Sequence, residues 1–190
     1  MPDVPESSSA TAWVAEVLQF WFGELNAEQW FERDASVDER IRARFAPVHD
    51  LVSATPDAAL LGDARSALAA IIVLDQFSRN MFRGDPRAFA SDAKALSIAQ
   101  AAIGKGYLGE LSKDERLFLY LPFEHCEDRA QQARCVELMS GLGDPELTRY
   151  AIAHRDIIER FGRFPHRNAI LGRVSTAEEI EFLKEPGSSF

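Results

Sequence analysis

At 190 residues the chain is long enough for one domain that buries roughly 70% of its unfolded surface without a metal or disulfide staple. Its 27% charged and 46% apolar residues are too apolar for disorder, and a net charge of −9 argues against the dominant basic face that wraps nucleic acid. No apolar run approaches the roughly 20 residues of a membrane span, and Met1 to Ala10 is polar without a signal-like region, so a cytoplasmic protein with no membrane or nucleic-acid partner is expected.

Punctuation and periodicity predict about eight antiparallel helices, near 10–22, 36–54, 63–83, 86–103, 113–121, 124–140, 145–161 and 176–184, in one all-α domain over 1–190 with irregular ends at 1–9 and 185–190. No stretch alternates apolar and polar residues with β-branched enrichment, as a strand requires. The amphipathic start, with Trp13, Val17, Phe20 and Trp21 and then Trp30 and Phe31, reads as core. Ser36 with Glu39 reads as a capping box, as do Ser112 with Glu115 and Ser175 with Glu178. Asp85-Pro86 and Asp144-Pro145 each place an N-cap before a first-turn proline. Gly23, Gly62, Gly84, Gly104, Gly141 and Gly162 are candidate stops.

Within 63–83 the apolar stripe of Leu68 and Ile72 runs into Asp75, Arg79 and Arg83, so a buried face turns ionic. Asp75 follows an apolar run and needs a partner at the core edge, with Arg79 one turn on the nearest. Arg116 and Tyr120 share a helix face, and Pro122 interrupts the pattern ahead of His125, Glu127 and Asp128. That break is expected to set His125 near a helix start, either as a proton shuttle or as a cap. Cys126 and Cys135 are expected in one helix, about 13 Å apart along its axis and out of disulfide reach. His154 lies on the stripe of Leu147, Tyr150, Ala151, Ile158 and Phe161 and so faces the core. It is either a satisfied core residue or a partner of Asp75 or Glu127.

The stretch RFGRFPHRNAILGR, Arg160 to Arg173, carries four arginines and His166 with no acid in a net-acidic chain. Gly162 ends a helix, Pro165 stiffens the turn, and Phe161 and Phe164 anchor it. The guanidinium forks then either pair with Asp75, Glu127 and Asp128 or hold a phosphate or carboxylate. Two charge-assisted contacts at roughly 1.5–3 kcal/mol each reach only millimolar binding. Further contributors are therefore expected among Asn168, Asn80, Tyr120 and an aromatic wall of Phe89, Phe164 or Trp21. No HExxH, CxxC or Glu-x-x-His pattern suggests a metal, and no cofactor is implied. Ser91 and Ser175 lack a nucleophile context, and Cys126 becomes a thiolate only beside an arginine.

The segments QFWFGE at 19–24, LDQFSRNMFRG at 74–84, AFASDAKAL at 88–96, RLFLYLPFEHCED at 116–128 and HRDIIERFGRFPHRNAILGRVST at 154–176 together are specific. Through them the chain, from about Trp13 to Phe190, resembles the bacterial family known as domain of unknown function 924. The resemblance implies an all-α, tetratricopeptide-like arrangement and supplies no activity, cofactor or catalytic residue. Ser78, Cys126 and Val174 stand where that family more often shows proline, serine and glutamate.

Three functional expectations follow. The first is a pocket for a small anionic metabolite or a carboxylate-bearing peptide end, lined by Arg79, Arg83, Arg163, Arg167 and His166 with Asn80, Tyr120 and Asn168. The second is an enzyme in which His125 or His154 moves a proton, Asp75 or Glu127 orients it, and the arginines hold an anion. The third is a helical scaffold for a partner protein, which requires an exposed apolar patch of several hundred Å².

Overall fold

The computed structural model describes residues 12–188, so the expectations placed on Met1 to Ala10 and on Phe190 lie outside it. Among the described residues the chain is all-α, with no strand. Nine helices follow in order. They are α1 (Ala12–Leu18, continued by a π-helical turn Gln19–Glu24), α2 (Ala27–Phe31), α3 (Ala35–Ala54), α4 (Ala64–Ile71, a π-helical stretch Ile72–Phe77, then Ser78–Met81), α5 (Asp92–Gly104), α6 (Lys113–Glu124), α7 (Arg129–Ser140), α8 (Pro145–Phe161) and α9 (Ala177–Phe182).

Each helix from α3 to α8 packs on the next, and α4 also touches α1 and α6. Residues 67–78 of α4 are buried on every side, as befits a helix whose apolar run is not confined to one face. Aromatic rings close the core around it. Phe45 and Phe77 lie 4.8 Å apart between centroids, and Trp21 meets Phe118 edge-on at 5.3 Å. The short α2, which the sequence reading passes over, is set by a capping box between Asn26 and Gln29. It brings Trp30 to donate its indole N–H to the Trp21 carbonyl.

Several helix ends differ from expectation for local reasons. Asp34, not Ser36, caps α3, accepting from the backbone N–H groups of Ser36 and Val37; a carboxylate at the positive end of a helix outcompetes a hydroxyl. Thr176, not Ser175, forms the capping box with Glu179, while the Ser175 hydroxyl accepts from Asn168. Asp85-Pro86 opens only a 3₁₀ turn, Pro86–Phe89, and α5 begins at Asp92. Ser112 with Glu115 and Asp144 with Pro145 behave as expected.

Pro122 does not break its helix. α6 runs on to Glu124, and the N–H of His125 still bonds the Leu121 carbonyl at 2.9 Å. His125 is thus a C-cap rather than a helix start. Cys126 falls in the link before α7, so only Cys135 is helical. Gly23 sits inside the π turn instead of ending a helix, whereas Gly162 ends α8 with a positive φ of 70°. The chain then turns through Pro165–Arg167, and a small second cluster of Ile157, Ile158 and Phe164, with Phe161 and Phe182, anchors the arginine-rich segment.

Candidate functional site

Asp75 sits in the π-helical stretch of α4, fully buried, and three side chains converge on it. Arg79 reaches its carboxylate at 3.1 Å, Gln76 donates to the other oxygen, and His125 Nδ1 lies 2.8 Å from Oδ1. Arg79 also donates to the Asp75 carbonyl at 2.8 Å. Arg79 follows Asp75 by four residues, so both the carboxylate and the carbonyl of Asp75 face its guanidinium one turn on.

From Asp75 the network extends to α5. Arg79 forks onto Asp92, the first residue of that helix, with both bonds at 3.0 Å, and Arg167 adds a single bond from Nη1 at 3.2 Å. Arg167 is 6% exposed, its guanidinium held between the rings of Phe89 at 4.7 Å and Phe164 at 4.6 Å. Its Nε is buried without a hydrogen-bond partner among the described residues. Glu127 fixes the same turn from the other side, accepting a fork from Arg173 at 2.6 and 2.9 Å and the backbone N–H of Phe164 at 2.7 Å.

These groups border a cleft of about 460 Å³ lined by His125, Cys126, Glu127, Asp92 and Arg167, with Phe89, Ala93, Leu96 and Leu171 as its apolar wall and Ser97 and Gln100 further along α5. That volume is typical of small-molecule sites. A more open depression of about 560 Å³ at the start of α8 holds a helix cap, Asp144, and a surface ion pair, Arg149 with Glu146. It has none of the converging chemistry.

The electrostatics are internally matched. Burial opposes the charge on Asp75, but Arg79, His125 and Gln76 outweigh it and hold the carboxyl below its usual range. Burial and then Arg79 push the His125 imidazole down against the pull of Asp75, so the ring is neutral at pH 7. A neutral ring beside an ionised carboxylate carries its proton on Nδ1, which leaves Nε2 as the basic nitrogen. Arg79 gains enough from Asp75 and Asp92 to rise despite burial. Arg167 behaves oppositely: burial and the neighbouring Arg79 lower it to about 10, in spite of Asp92, Glu127 and Asp75. Burial keeps Cys126 a thiol.

Behind the cleft lies a second buried pair. Glu124 Oε1 is 3.6 Å from His154 Nδ1, which bonds the Tyr150 carbonyl at 2.9 Å, and Cys135 Sγ is 3.9 Å from Glu124 Oε2. Burial, reinforced by Asp75, raises Glu124 to about 8, and burial drops His154 to about 3, so at neutral pH this is a contact between neutral groups. The pairing of His154 is therefore with Glu124, a carboxylate at the end of an apolar run, and not with Asp75 or Glu127.

The structure thus gathers Asp75, Arg79, His125, Glu127 and Arg167 from the sequence-derived candidates, keeps His154 and His166 close by against Phe164, and places Asn80, Arg83, Arg163, Tyr120 and Asn168 on other partners. Asn80 and Arg83 both bond Asp38, and Arg163 forks onto Glu179. Asn168 donates to Ser175, Tyr120 is buried in the main core, and His166 packs on Phe164 with burial and Arg167 lowering it to about 4. Arg160 takes Glu178. Asp128 caps α7 and takes no arginine. The residue missed by sequence reasoning is Asp92, whose only signal is an acid one residue into a helix. Among the described residues, no group of three or more His, Cys, Asp or Glu side chains is arranged to hold a metal ion, and no helix is long and apolar enough to cross a membrane.

No curated protein matches the sequence. A solved structure of a protein of unknown function from Agrobacterium tumefaciens is 41% identical, covers 93% of this chain and 99% of its own, and superposes with a TM-score of 0.88. The bacterial family of unknown function DUF924 matches residues 17–187. With nearly its whole length covered, the chain belongs to that family.

Proposed function

We propose that the protein binds a small anionic ligand in the cleft beside α5, with Arg167 as the anchor. The observation that carries this reading is a buried guanidinium that borders the cleft, has one carboxylate contact, and keeps an Nε without a partner. Every other arginine of the 160–173 segment has its own acid: Glu178, Glu179 or Glu127. An incoming anion would supply the counter-charge that Arg79 takes from Arg167 by sharing Asp92. Serial packing of α3 to α8 supports the tetratricopeptide-like reading of the array, with the cleft built from one face of α5 and the links that border it.

The test is a thermal-shift comparison of wild type, Arg167→Met and Arg163→Met against small carboxylates and phosphates at constant ionic strength. A ligand at 100-fold its dissociation constant stabilises by about 2.7 kcal/mol, a shift of roughly 5–11 °C for a chain of this size. The shift is expected in wild type and Arg163→Met and absent in Arg167→Met. Equal shifts in all three contradict the reading.

A second reading, acid–base catalysis on the bound anion, is favoured by the 2.8 Å contact between Asp75 and His125 at the cleft wall. Asp75 orients the ring and stabilises the imidazolium that forms when Nε2 takes a proton. In a screen of carboxylate-bearing esters and phosphomonoesters, His125→Gln is expected to keep anion binding and lose about 10²–10⁴ of any turnover found. Turnover unchanged by that substitution removes His125 from the chemistry.

A further inference from the structure

Arg167 is not the only feature that selects what enters the cleft. Ala93, Leu96, Ser97 and Gln100 fall at i, i+3, i+4 and i+7 along α5, so one continuous stripe of that helix forms the wall. Its first half is apolar and is extended by Phe89, Ala90 and Leu171, while Ser97 and Gln100 lie at the far end. The charged groups therefore gather at the His125–Arg167 end, and an apolar wall adjoins them.

The charged end is itself selective. Asp92 and Glu127 both border the cleft, each within the field of Arg167. A dianion placed on Arg167 meets two fixed carboxylates with both its charges, whereas a monoanion meets them with one. Arg163 grips Glu179, and Arg83 grips Asp38, through two nitrogens each. In Arg167 only Nη1 has a carboxylate partner and Nε is buried without one, so no protein carboxylate forks onto this guanidinium.

Resting on the anion-binding reading above, we infer that the ligand is a free monocarboxylate with an apolar body, its carboxylate on Arg167 and its body along Ala93, Leu96 and Phe89. His125 Nε2 then stands next to the head group as a hydrogen-bond acceptor for a neighbouring hydroxyl or amide.

The experiment is calorimetric titration of acetate, butyrate, hexanoate and octanoate, with hexanol, hexyl phosphate and inorganic phosphate as controls, into wild type, Arg167→Met and Leu96→Asp, each first checked by circular dichroism. Affinity is expected to rise about fourfold per added CH₂ until the cleft is filled. It should exceed that for hexanol and for both phosphates, collapse in Arg167→Met, and lose its chain-length dependence in Leu96→Asp. Arg167-dependent binding in which either phosphate matches the carboxylates, or in which length has no effect, overturns this inference and leaves the anion reading standing. Binding of no anion, or binding that Arg167→Met leaves intact, overturns both. Tighter binding of a short peptide that ends in a free leucine carboxylate overturns the free small molecule as occupant.

Discussion

Arg163 and Arg167 lie four residues apart in one turn, yet their surroundings pull them in opposite directions. Arg163 forks onto Glu179, which is 2% exposed, and its affinity for a proton rises through that bond. Arg167 is buried against two phenylalanine rings, shares Asp92 with Arg79, and is lowered. A guanidinium holding α9 to the end of α8 thus has a carboxylate of its own, whereas the one bordering the cleft shares its carboxylate with Arg79. The lesson is that an arginine-rich segment can be structural at most of its positions and chemically unsatisfied at one.

The largest expected effect comes from removing the buried carboxylate at the centre of the network. Asp75→Ala takes away the group on which half-buried Arg79, His125 and Gln76 converge and should cost about 3–5 kcal/mol in urea unfolding, because donors packed around a buried site lose their partner. A loss near zero would mean that Asp92 alone suffices for Arg79. Next is Glu124, raised to about 8 in the folded chain and ordinary near 4.5 when unfolded. An acid raised on folding contributes stability below the unfolded value that is lost as pH rises through the folded one. Wild-type stability should therefore fall between about pH 4.5 and 8, by an amount on the order of a few kcal/mol, and Glu124→Gln should flatten that fall. An unchanged slope would place the titration elsewhere.

Arg163→Met should be destabilising by a smaller amount, because it leaves the Glu179 carboxylate without its cation. Glu179 is depressed to about 2, so its contribution is present above the usual carboxylate range and is lost as pH falls through about 2. That acid loss should shrink in the variant. Arg167→Met should have the smallest effect, unchanged stability or a gain of about 1 kcal/mol, because Asp92 keeps its fork to Arg79. A penalty equal to that of Arg163→Met would make the two arginines alike and remove the contrast.

Much of this was legible in the sequence. Gly162, Asp144-Pro145 and the box of Ser112 with Glu115 act through bonds within four residues of themselves, so local reading finds them. The π-helical stretches were not legible, because they insert a residue per turn without altering composition. Nor was the end of α4 at Met81, which leaves Arg83 in the turn beyond it, where it meets Asp38 on α3. Pro122 misleads because the loss of its one N–H bond is local: α6 continues to Glu124 and the His125 N–H still reaches the Leu121 carbonyl. Asp92 was invisible because its partners, Arg79 and Arg167, are 13 and 75 residues away. Spacing shows which side chains share a face; it does not show which distant carboxylate a guanidinium will choose.

The most direct measurement is the Nε–H resonance of each arginine in a ¹⁵N-labelled sample titrated with hexanoate. The account predicts a saturable shift at Arg167 while Arg163, already bonded to Glu179, stays fixed. Saturation at Arg163 or other exposed arginines with Arg167 unmoved would contradict it, and would return the cleft to being a gap between packed helices.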